Sequence, residues 1–319
     1  MCALNILATF LADTSQQKYL QNKFPEVSIL FHDGLHIDDP ALKDAEVLVT
    51  YGEDLTALHI QRAKNLRWIM VISAGLELMP LSSIAERNIL VTNARGIHKI
   101  PMAEYTIGMI LQHEKQLKEF LNKQQQRIWN RDIQLGELHG KTMLVMGTGA
   151  IGEEIARLAK AFRLHTVGVN RTGGRVENFD EIYAFDEIAE CLHKADYVIS
   201  VLPSTPETEG MLKEEHFNRM KNGAVFINIG RGNLFKDTDL LKALENKVIA
   251  RAVLDVFNVE PLPENHPYWT HESITVTPHI SSRTKGYMPR AMEIFEQNLF
   301  EYLSGGKNFI NVIDLHRGY

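Results

Sequence analysis

The stretch Lys141-Thr-Met-Leu-Val-Met-Gly-Thr-Gly-Ala-Ile-Gly152 decides how the rest of the chain is read. Residues 142–146 form a short apolar run that ends on glycine, the pattern of a buried strand entering a tight turn. A helix-compatible run follows over 150–162. Each glycine has its own use in such a turn. Gly147 permits the sharp bend, Gly149 lets the backbone approach a pyrophosphate, and Gly152 lets helix and strand pack closely. Ala150 and Ile151 open the helix, whose free N–H groups suit an anion. Taken alone, the same spacing also describes an ordinary strand-to-helix turn, so its weight comes from the surrounding chain.

With 319 residues the chain exceeds what one hydrophobic core usually serves, and two domains are expected. Apolar residues make up 45% and charged residues 23%, as in soluble globular proteins. The net charge of −6, with no Lys/Arg-rich patch, argues against nucleic acid or an acidic membrane as a partner. Cys2 and Cys191 supply neither a disulfide framework nor a metal spacing, which fits a reducing cytosol and a cytoplasmic location without a bound metal. The apolar segment 3–12 has no basic flank and stops at Asp13, and no run reaches bilayer length, so no membrane span is expected.

Residues 3–93 alternate short apolar runs with helix-compatible ones. Strands are expected at 4–9, 27–31, 47–50, 68–71 and 89–92, and helices at 13–23, 55–63 and 81–86. Strands separated by helices pair in parallel, so this region reads as a small doubly wound domain. The segment Asn93-Ala-Arg-Gly-Ile-His-Lys-Ile-Pro101 breaks the pattern: Gly96 permits unusual backbone angles, and Pro101 suits a first helical turn. One long helix is expected over 102–123, with Ile107, Ile110 and Leu111 on one face and Leu117 and Leu121 continuing it. A loop containing Trp129 follows. The second region repeats the plan, with strands at 142–146, 165–169, 197–202, 224–229, 250–256 and 274–277. Its helices are expected at 150–162, 186–194, 213–220 and 237–246, and a last helix over 286–303 leads to a short tail. The fold class is therefore α/β, with two doubly wound parallel-sheet domains.

If the glycine turn binds NAD, an acid about twenty residues on should end the next strand and meet the ribose hydroxyls. Here the strand runs into Asn170-Arg171-Thr172, with Arg175 close behind and no carboxylate at the strand end. A guanidinium there forks onto the oxygens of a 2′-phosphate, which favours NADP(H). The alternative is an exposed Arg in a glycine-rich loop, with NAD(H) held through Asn170 and backbone groups.

Three polar residues stand just behind apolar strands: Arg231, Glu260 and His279. Ligands of open α/β sheets bind outside the carboxyl ends of the strands, so all three can meet at one crevice. Singly, each has a plain structural reading, as a loop salt bridge, a turn acid before Pro261 and a capped surface His. Together they supply what reduction of a 2-keto acid needs. An Arg clamps the carboxylate and polarises the neighbouring carbonyl, and a His delivers a proton to the oxygen as hydride arrives at carbon. A Glu beside the His would orient its ring and favour the protonated form.

The run of motifs Thr92-Asn-Ala-Arg-Gly96, Ala103-Glu-Tyr105, Leu138-His-Gly-Lys141 with the glycine turn, Leu202-Pro-Ser-Thr-Pro-Glu-Thr208, Asn228-Ile-Gly-Arg-Gly232, Leu254-Asp-Val-Phe257, Glu260-Pro261 and Thr277-Pro-His-Ile280 resembles the D-isomer-specific 2-hydroxyacid dehydrogenase family over essentially the whole chain. The resemblance implies catalytic roles for Arg231, Glu260 and His279, and a nicotinamide contact for Asp255. It implies further cofactor contacts at Leu202, Pro203, Thr208, Ile229, Gly230 and Ser282. It also implies a substrate-carboxylate loop at Ser73-Ala74-Gly75-Leu76, with Arg231 and His279 completing the substrate site. A flavodoxin-like substrate domain (1–97 and 286–319) carrying an inserted Rossmann coenzyme domain (98–285) is implied as well, as is a homodimer through the coenzyme domain with the helix after Pro101 contributing. Two departures stand out: the missing acid at 170–172, and the stretch Ser281-Ser-Arg-Thr284, where the family often has Gly.

Within the family, Glu260 speaks against formate as substrate. The absence of Lys or Arg from Ser73-Ala-Gly-Leu-Glu-Leu-Met79, together with Glu77, speaks against a phosphorylated substrate. A small unphosphorylated 2-keto acid such as glyoxylate or hydroxypyruvate is expected, with Leu76, Leu78, Met102 and Trp129 as candidate pocket walls. His32 and His36 flank Gly34 in a loop, and His113-Glu114 lacks the second His of a zinc helix, so neither reads as a metal site. The alternative function is a dinucleotide-sensing binding protein, like the family's corepressors, against which the lack of long polar tails counts.

Overall fold

The computed structural model describes residues 4–73, 75–76 and 78–315; Cys2, Ala74 and Glu77 lie outside the described residues. Residues 98–284 form one compact unit, and the described residues on either side of that stretch form the other.

The flanking unit is built on β1 (Leu4–Ala8), β2 (Val27–Phe31), β3 (Val47–Thr50), β4 (Trp68–Val71) and β5 (Leu90–Asn93), all parallel in the order β2-β1-β3-β4-β5. This is the flavodoxin-like order. The central strands β3 and β4 are buried along their whole length, because helices cover both faces. The helix Thr14–Lys23 starts on a capping box: the Asp13 carboxylate accepts from the Gln16 N–H at 2.8 Å, and the Gln16 side chain accepts from the Asp13 N–H. The C-terminal helix Tyr287–Leu303 covers one face. Trp68 stacks on Phe295 and on Tyr302 at centroid distances of 5.7 and 5.4 Å, and its indole N–H donates to Thr92 Oγ1. Beyond that helix, Asn311 donates to the carbonyls of Asn93 and Arg95, and Val312 bridges Thr92. The tail thus closes back on β5.

The inserted unit carries β6 (Thr142–Met146), β7 (His165–Asn170), β8 (Glu181–Ala184), β9 (Tyr197–Ser200), β10 (Ala224–Asn228), β11 (Ile249–Leu254) and β12 (Ile274–Val276). All are parallel, in the order β12-β11-β10-β9-β6-β7-β8, which is the Rossmann order with one strand added. The order reverses between β6 and β9, and that switch point puts the glycine turn after β6 beside the loop after β9. Helix Lys99–Glu114 packs along helix Ala150–Ala161 on one face.

Two expectations are corrected here. The single helix over 102–123 is two helices, Lys99–Glu114 and Leu117–Gln125, because Gln116 adopts a left-handed φ of 47° and interrupts the ladder. Leu117 and Leu121 therefore do not continue the buried face; both are exposed. Edge strand β8, partly buried throughout, has no apolar run to announce it and was not expected. Among the described residues no helix is long and apolar enough to cross a membrane.

Glycine governs how the loops at the carboxyl edge of this sheet approach one another. A Cβ on Gly230, after β10, would lie 2.5 Å from the Leu202 carbonyl oxygen after β9. One on Gly232 would lie 1.9 Å from the Phe257 carbonyl carbon after β11. Backbone meets backbone at both points, so no side chain can swing aside. Gly232→Ala is expected to destabilise the protein by about 1–3 kcal/mol through overpacking. Urea denaturation measures this, and an unchanged midpoint would show that the two loops can separate freely.

Candidate active site

The pyrophosphate end of the crevice is built from backbone. Gly147 has a φ of 100°, outside the range an ordinary side chain adopts readily, and donates its N–H to the Val169 carbonyl. Gly149 caps the helix Ala150–Ala161 with no side-chain partner, and a Cβ placed there would meet nothing within 4 Å. At Gly152 a Cβ would lie 1.9 Å from the Gly147 carbonyl oxygen, so turn and helix are in backbone contact. A bare helix N-terminus with an open glycine beside it is the physical form of a dinucleotide phosphate cradle, and the residues present fit that group. Ala150 and Ile151 form the first turn of this helix.

At the end of β7, Asn170 is held by three hydrogen bonds. Its Nδ2 donates to Thr148 Oγ1 at 3.0 Å and to the Gly174 carbonyl at 2.9 Å, and its Oδ1 accepts from the Thr172 N–H at 3.1 Å. The loop is thereby fixed, while Arg171, Thr172 and Arg175 stay exposed on it. No carboxylate occurs from 170 to 175. After β9, Leu202 is buried and Pro203 exposed. Thr208 Oγ1 donates to the Pro203 carbonyl at 2.6 Å and accepts from the Thr205 N–H, closing the loop on itself.

Arg231, Glu260 and His279 follow β10, β11 and β12, three adjacent strands. Asn228 shapes the first of these turns: its Nδ2 donates to the Arg231 carbonyl and its Oδ1 accepts from the Gly230 N–H. Ile229 and Gly230 are buried under it, while Arg231 is exposed and donates from Nη1 to the Gly230 carbonyl. Glu260 accepts from the Phe257 N–H through Oε1 and meets His279 Nδ1 through Oε2 at 2.7 Å. An ionised carboxylate only accepts, so Nδ1 carries the hydrogen and Nε2 is the nitrogen left for exchange.

The turn carrying His279 is wrapped around Asp255, whose residue exposure is 0%. Its Oδ1 accepts from Thr277 Oγ1 at 2.6 Å and from the Ile280 N–H at 2.9 Å, and its Oδ2 accepts from the Ser281 N–H at 2.9 Å. The His279 N–H donates to the Asp255 carbonyl at 2.8 Å, and His279 itself has a φ of 49°. The nicotinamide contact implied for Asp255 thus falls on a carboxylate already engaged by this turn. Ser282, one position on, is partly buried.

Sequence reasoning passed over three residues of this neighbourhood. Thr277 and Tyr105 are joined at 2.6 Å between their hydroxyl oxygens. His98, at the start of helix Lys99–Glu114, has its pKa held below the ordinary His value, first by burial and then by the Arg231 cation. The stretch from Asn93 to Pro101 had marked the place, as a break in the strand–helix pattern, but nothing in it showed that His98 would meet Arg231. Ser73, Gly75 and Leu76 lie in the other unit, after β4. There Ser73 Oγ lies 3.2 Å from each of the Tyr51 and Gly75 carbonyl oxygens, either of which can accept its one hydrogen. Leu76 packs in that unit's core and Met102 in the core of the inserted unit, whereas Leu78 and Trp129 are exposed.

Residues 107–281 match the family described as D-isomer specific 2-hydroxyacid dehydrogenase, NAD binding domain. A glyoxylate/hydroxypyruvate reductase A of Serratia proteamaculans is 33% identical over 219 residues, 68% of this chain and 68% of that protein. The crystal structure of a D-isomer specific 2-hydroxyacid dehydrogenase family protein from Aeromonas salmonicida is similar at 31% identity with a TM-score of 0.86, over 98% of this chain and 99% of the other. A D-isomer specific 2-hydroxyacid dehydrogenase of Xanthobacter autotrophicus, solved with NADPH and MES, is similar at 25% identity with a TM-score of 0.78, over 99% of this chain and 100% of the other. The parallel sheet with its switch-point glycine turn and the match across most of the inserted unit lead to one conclusion: the chain belongs to the D-isomer-specific 2-hydroxyacid dehydrogenase family and is an NAD(P)-dependent oxidoreductase acting on 2-hydroxy acids.

Proposed function

We propose that this enzyme reduces a small unphosphorylated 2-keto acid such as glyoxylate or hydroxypyruvate, with NADP(H) preferred over NAD(H) and His279 as proton donor. The observation that carries the reading is the Glu260–His279 pair at 2.7 Å, in the loops after β11 and β12, with Arg231 behind β10 on the other side of β11. The cofactor, when bound, supplies a hydride to the keto carbon. Arg231 binds the substrate carboxylate and polarises the C2 carbonyl, whose electron pair moves to oxygen. His279 gives that oxygen the proton on Nε2, and Glu260 steadies the ring through Nδ1. Ser73, Gly75 and Leu76 receive the carboxylate through backbone amides. Ala74, the other residue assigned to that loop, lies outside the described residues.

Similarity to a relative named glyoxylate/hydroxypyruvate reductase A supports the small substrate. The exposed Arg171 and Arg175, in a stretch over 170–175 without a carboxylate, support a 2′-phosphate. The same reading includes a homodimer through the inserted unit. Helix Leu117–Gln125 buries none of its residues and exposes Leu117, Phe120 and Leu121, and Ile128 and the 92%-exposed Trp129 follow directly. Adjacent exposed apolar residues of this kind mark a contact surface. A cytoplasmic location belongs to the reading too. Cys191, among the described residues the one free thiol, is buried and pushed up to about 12 by that burial, so it is unreactive.

Steady-state kinetics with glyoxylate, hydroxypyruvate, pyruvate and 3-phosphohydroxypyruvate, each with NADPH and NADH, test the reading. His279→Ala should lower kcat by roughly 10²–10⁴-fold with cofactor affinity kept. Arg231→Ala should chiefly raise the keto-acid KM and lower kcat/KM. Tight cofactor binding without turnover of any keto acid would leave a binding protein rather than a reductase. Arg171→Ala should weaken NADPH by about tenfold, the worth of one charge-assisted contact, and leave NADH unchanged; equal losses would refute the phosphate clamp. For the dimer, Leu121→Glu combined with Trp129→Glu should halve the mass seen by light scattering, and a wild-type monomer would end that part of the reading.

A further inference from the structure

The hydrogen-bond chain behind His279 does not stop at Asp255. Thr277 Oγ1 donates to Asp255 Oδ1 at 2.6 Å, and its oxygen lies 2.6 Å from the Tyr105 hydroxyl. A hydroxyl has one hydrogen. Because that of Thr277 goes to Asp255, Tyr105 must be the donor between the two hydroxyls. The order is therefore Tyr105 to Thr277 to Asp255.

Tyr105 stands on helix Lys99–Glu114, whose Met102, Ala103, Thr106, Ile107 and Ile110 are buried at helical spacing and hold it rigidly. Its ring is partly buried, and a phenol in such a place needs a hydrogen-bond partner. Among the described residues the hydroxyl is hydrogen-bonded to none of the groups that the proposed reaction uses. What it touches is the one side chain of the His279 turn that reaches Asp255.

We infer that Tyr105 is a positioning residue for the proton donor: its hydroxyl holds Thr277 in the rotamer that donates to the buried Asp255 carboxylate, and thereby fixes the turn from which His279 meets Glu260. The inference rests on the reading of His279 as proton donor. Without the phenol, Thr277 Oγ1 has lost the donor that sets its orientation, and its χ1 can leave the well that reaches Asp255. Of this turn, the Asp255 carboxylate then keeps only the amides of Ile280 and Ser281, and the left-handed His279 backbone loses one of its restraints. The Tyr105 hydroxyl stays protonated and able to donate, because burial pushes its pKa up to about 12.

The experiment compares Tyr105→Phe, Thr277→Val, Thr277→Ser, the double variant Tyr105→Phe with Thr277→Val, and His279→Ala. Each is measured for kcat and KM with glyoxylate, for NADPH dissociation constant by nicotinamide fluorescence, and for thermal midpoint. Tyr105→Phe should lower kcat about 5–10-fold, the loss of one neutral hydrogen bond, with glyoxylate KM and NADPH affinity within about twofold. Thr277→Val should lose more, and the double variant should be no worse than Thr277→Val alone, because the two groups act in series. Thr277→Ser, which keeps the hydroxyl, should restore kcat to near wild type. A Tyr105→Phe enzyme with wild-type kcat, or a double variant whose losses multiply, overturns the inference. So does a Tyr105→Phe enzyme that loses only thermal stability. If His279→Ala itself keeps its kcat, the proton-donor reading has failed first; if it abolishes turnover while Tyr105→Phe does nothing, only the Tyr105 inference falls.

Discussion

A wholly buried carboxylate at the end of β11 is the constraint on which the turn carrying His279 depends. Asp255 accepts from Thr277 Oγ1 and from the amides of Ile280 and Ser281, all from the turn after β12. A carboxylate in a dry interior is costly unless donors surround it, so the turn cannot open without leaving Asp255 bare. The turn in consequence bends sharply enough to place His279 at a φ of 49°, a conformation that costs a non-glycine residue roughly 1–2 kcal/mol and that the surrounding bonds impose. His279 is thus presented to Glu260 by the backbone. It is not selected from a set of loose loop conformations.

The carboxyl edge of the inserted sheet divides its tasks between rigid and open parts. Around Arg231 and Glu260 the loops meet backbone to backbone at Gly230 and Gly232, and substituents there have nowhere to go. Around Asn170 the loop is equally well tied internally, yet its Arg171 and Arg175 side chains project into solvent. The end around Arg231 and Glu260 therefore tolerates little change, whereas the exposed side chains at 171 and 175 can vary without disturbing the loop that carries them.

The alternation of strands and helices was legible in the sequence because strands such as β3, β4, β6 and β9 are buried on both faces and read as continuous apolar runs. Edge strand β8, Glu181-Ile-Tyr-Ala184, has no such run and was invisible. The break at Gln116 was missed because it comes from a backbone angle, and neither glycine nor proline marks the spot. At the site, Arg231, Glu260 and His279 were visible from their position behind strands. Their geometry was not: that Asp255 anchors the His279 turn, that His98 lies near Arg231, and that Tyr105 reaches Thr277 are facts of side chains far apart in sequence.

The two units also differ in how the chain supplies them. Residues 98–284 are continuous, whereas the flanking unit joins segments from before and after that stretch. Trp68 on β4 stacks on Phe295 and Tyr302, and Tyr287 donates to the Ile72 carbonyl across 215 positions of sequence. A ribosome delivers β1 to β5 first but withholds the helix that covers them until the whole inserted unit has emerged, on the order of ten seconds or more later. In the cell the later-made unit is accordingly the first able to finish folding, and the earlier-made one waits with the Trp68 face uncovered, a window in which a nascent-chain chaperone has something to bind.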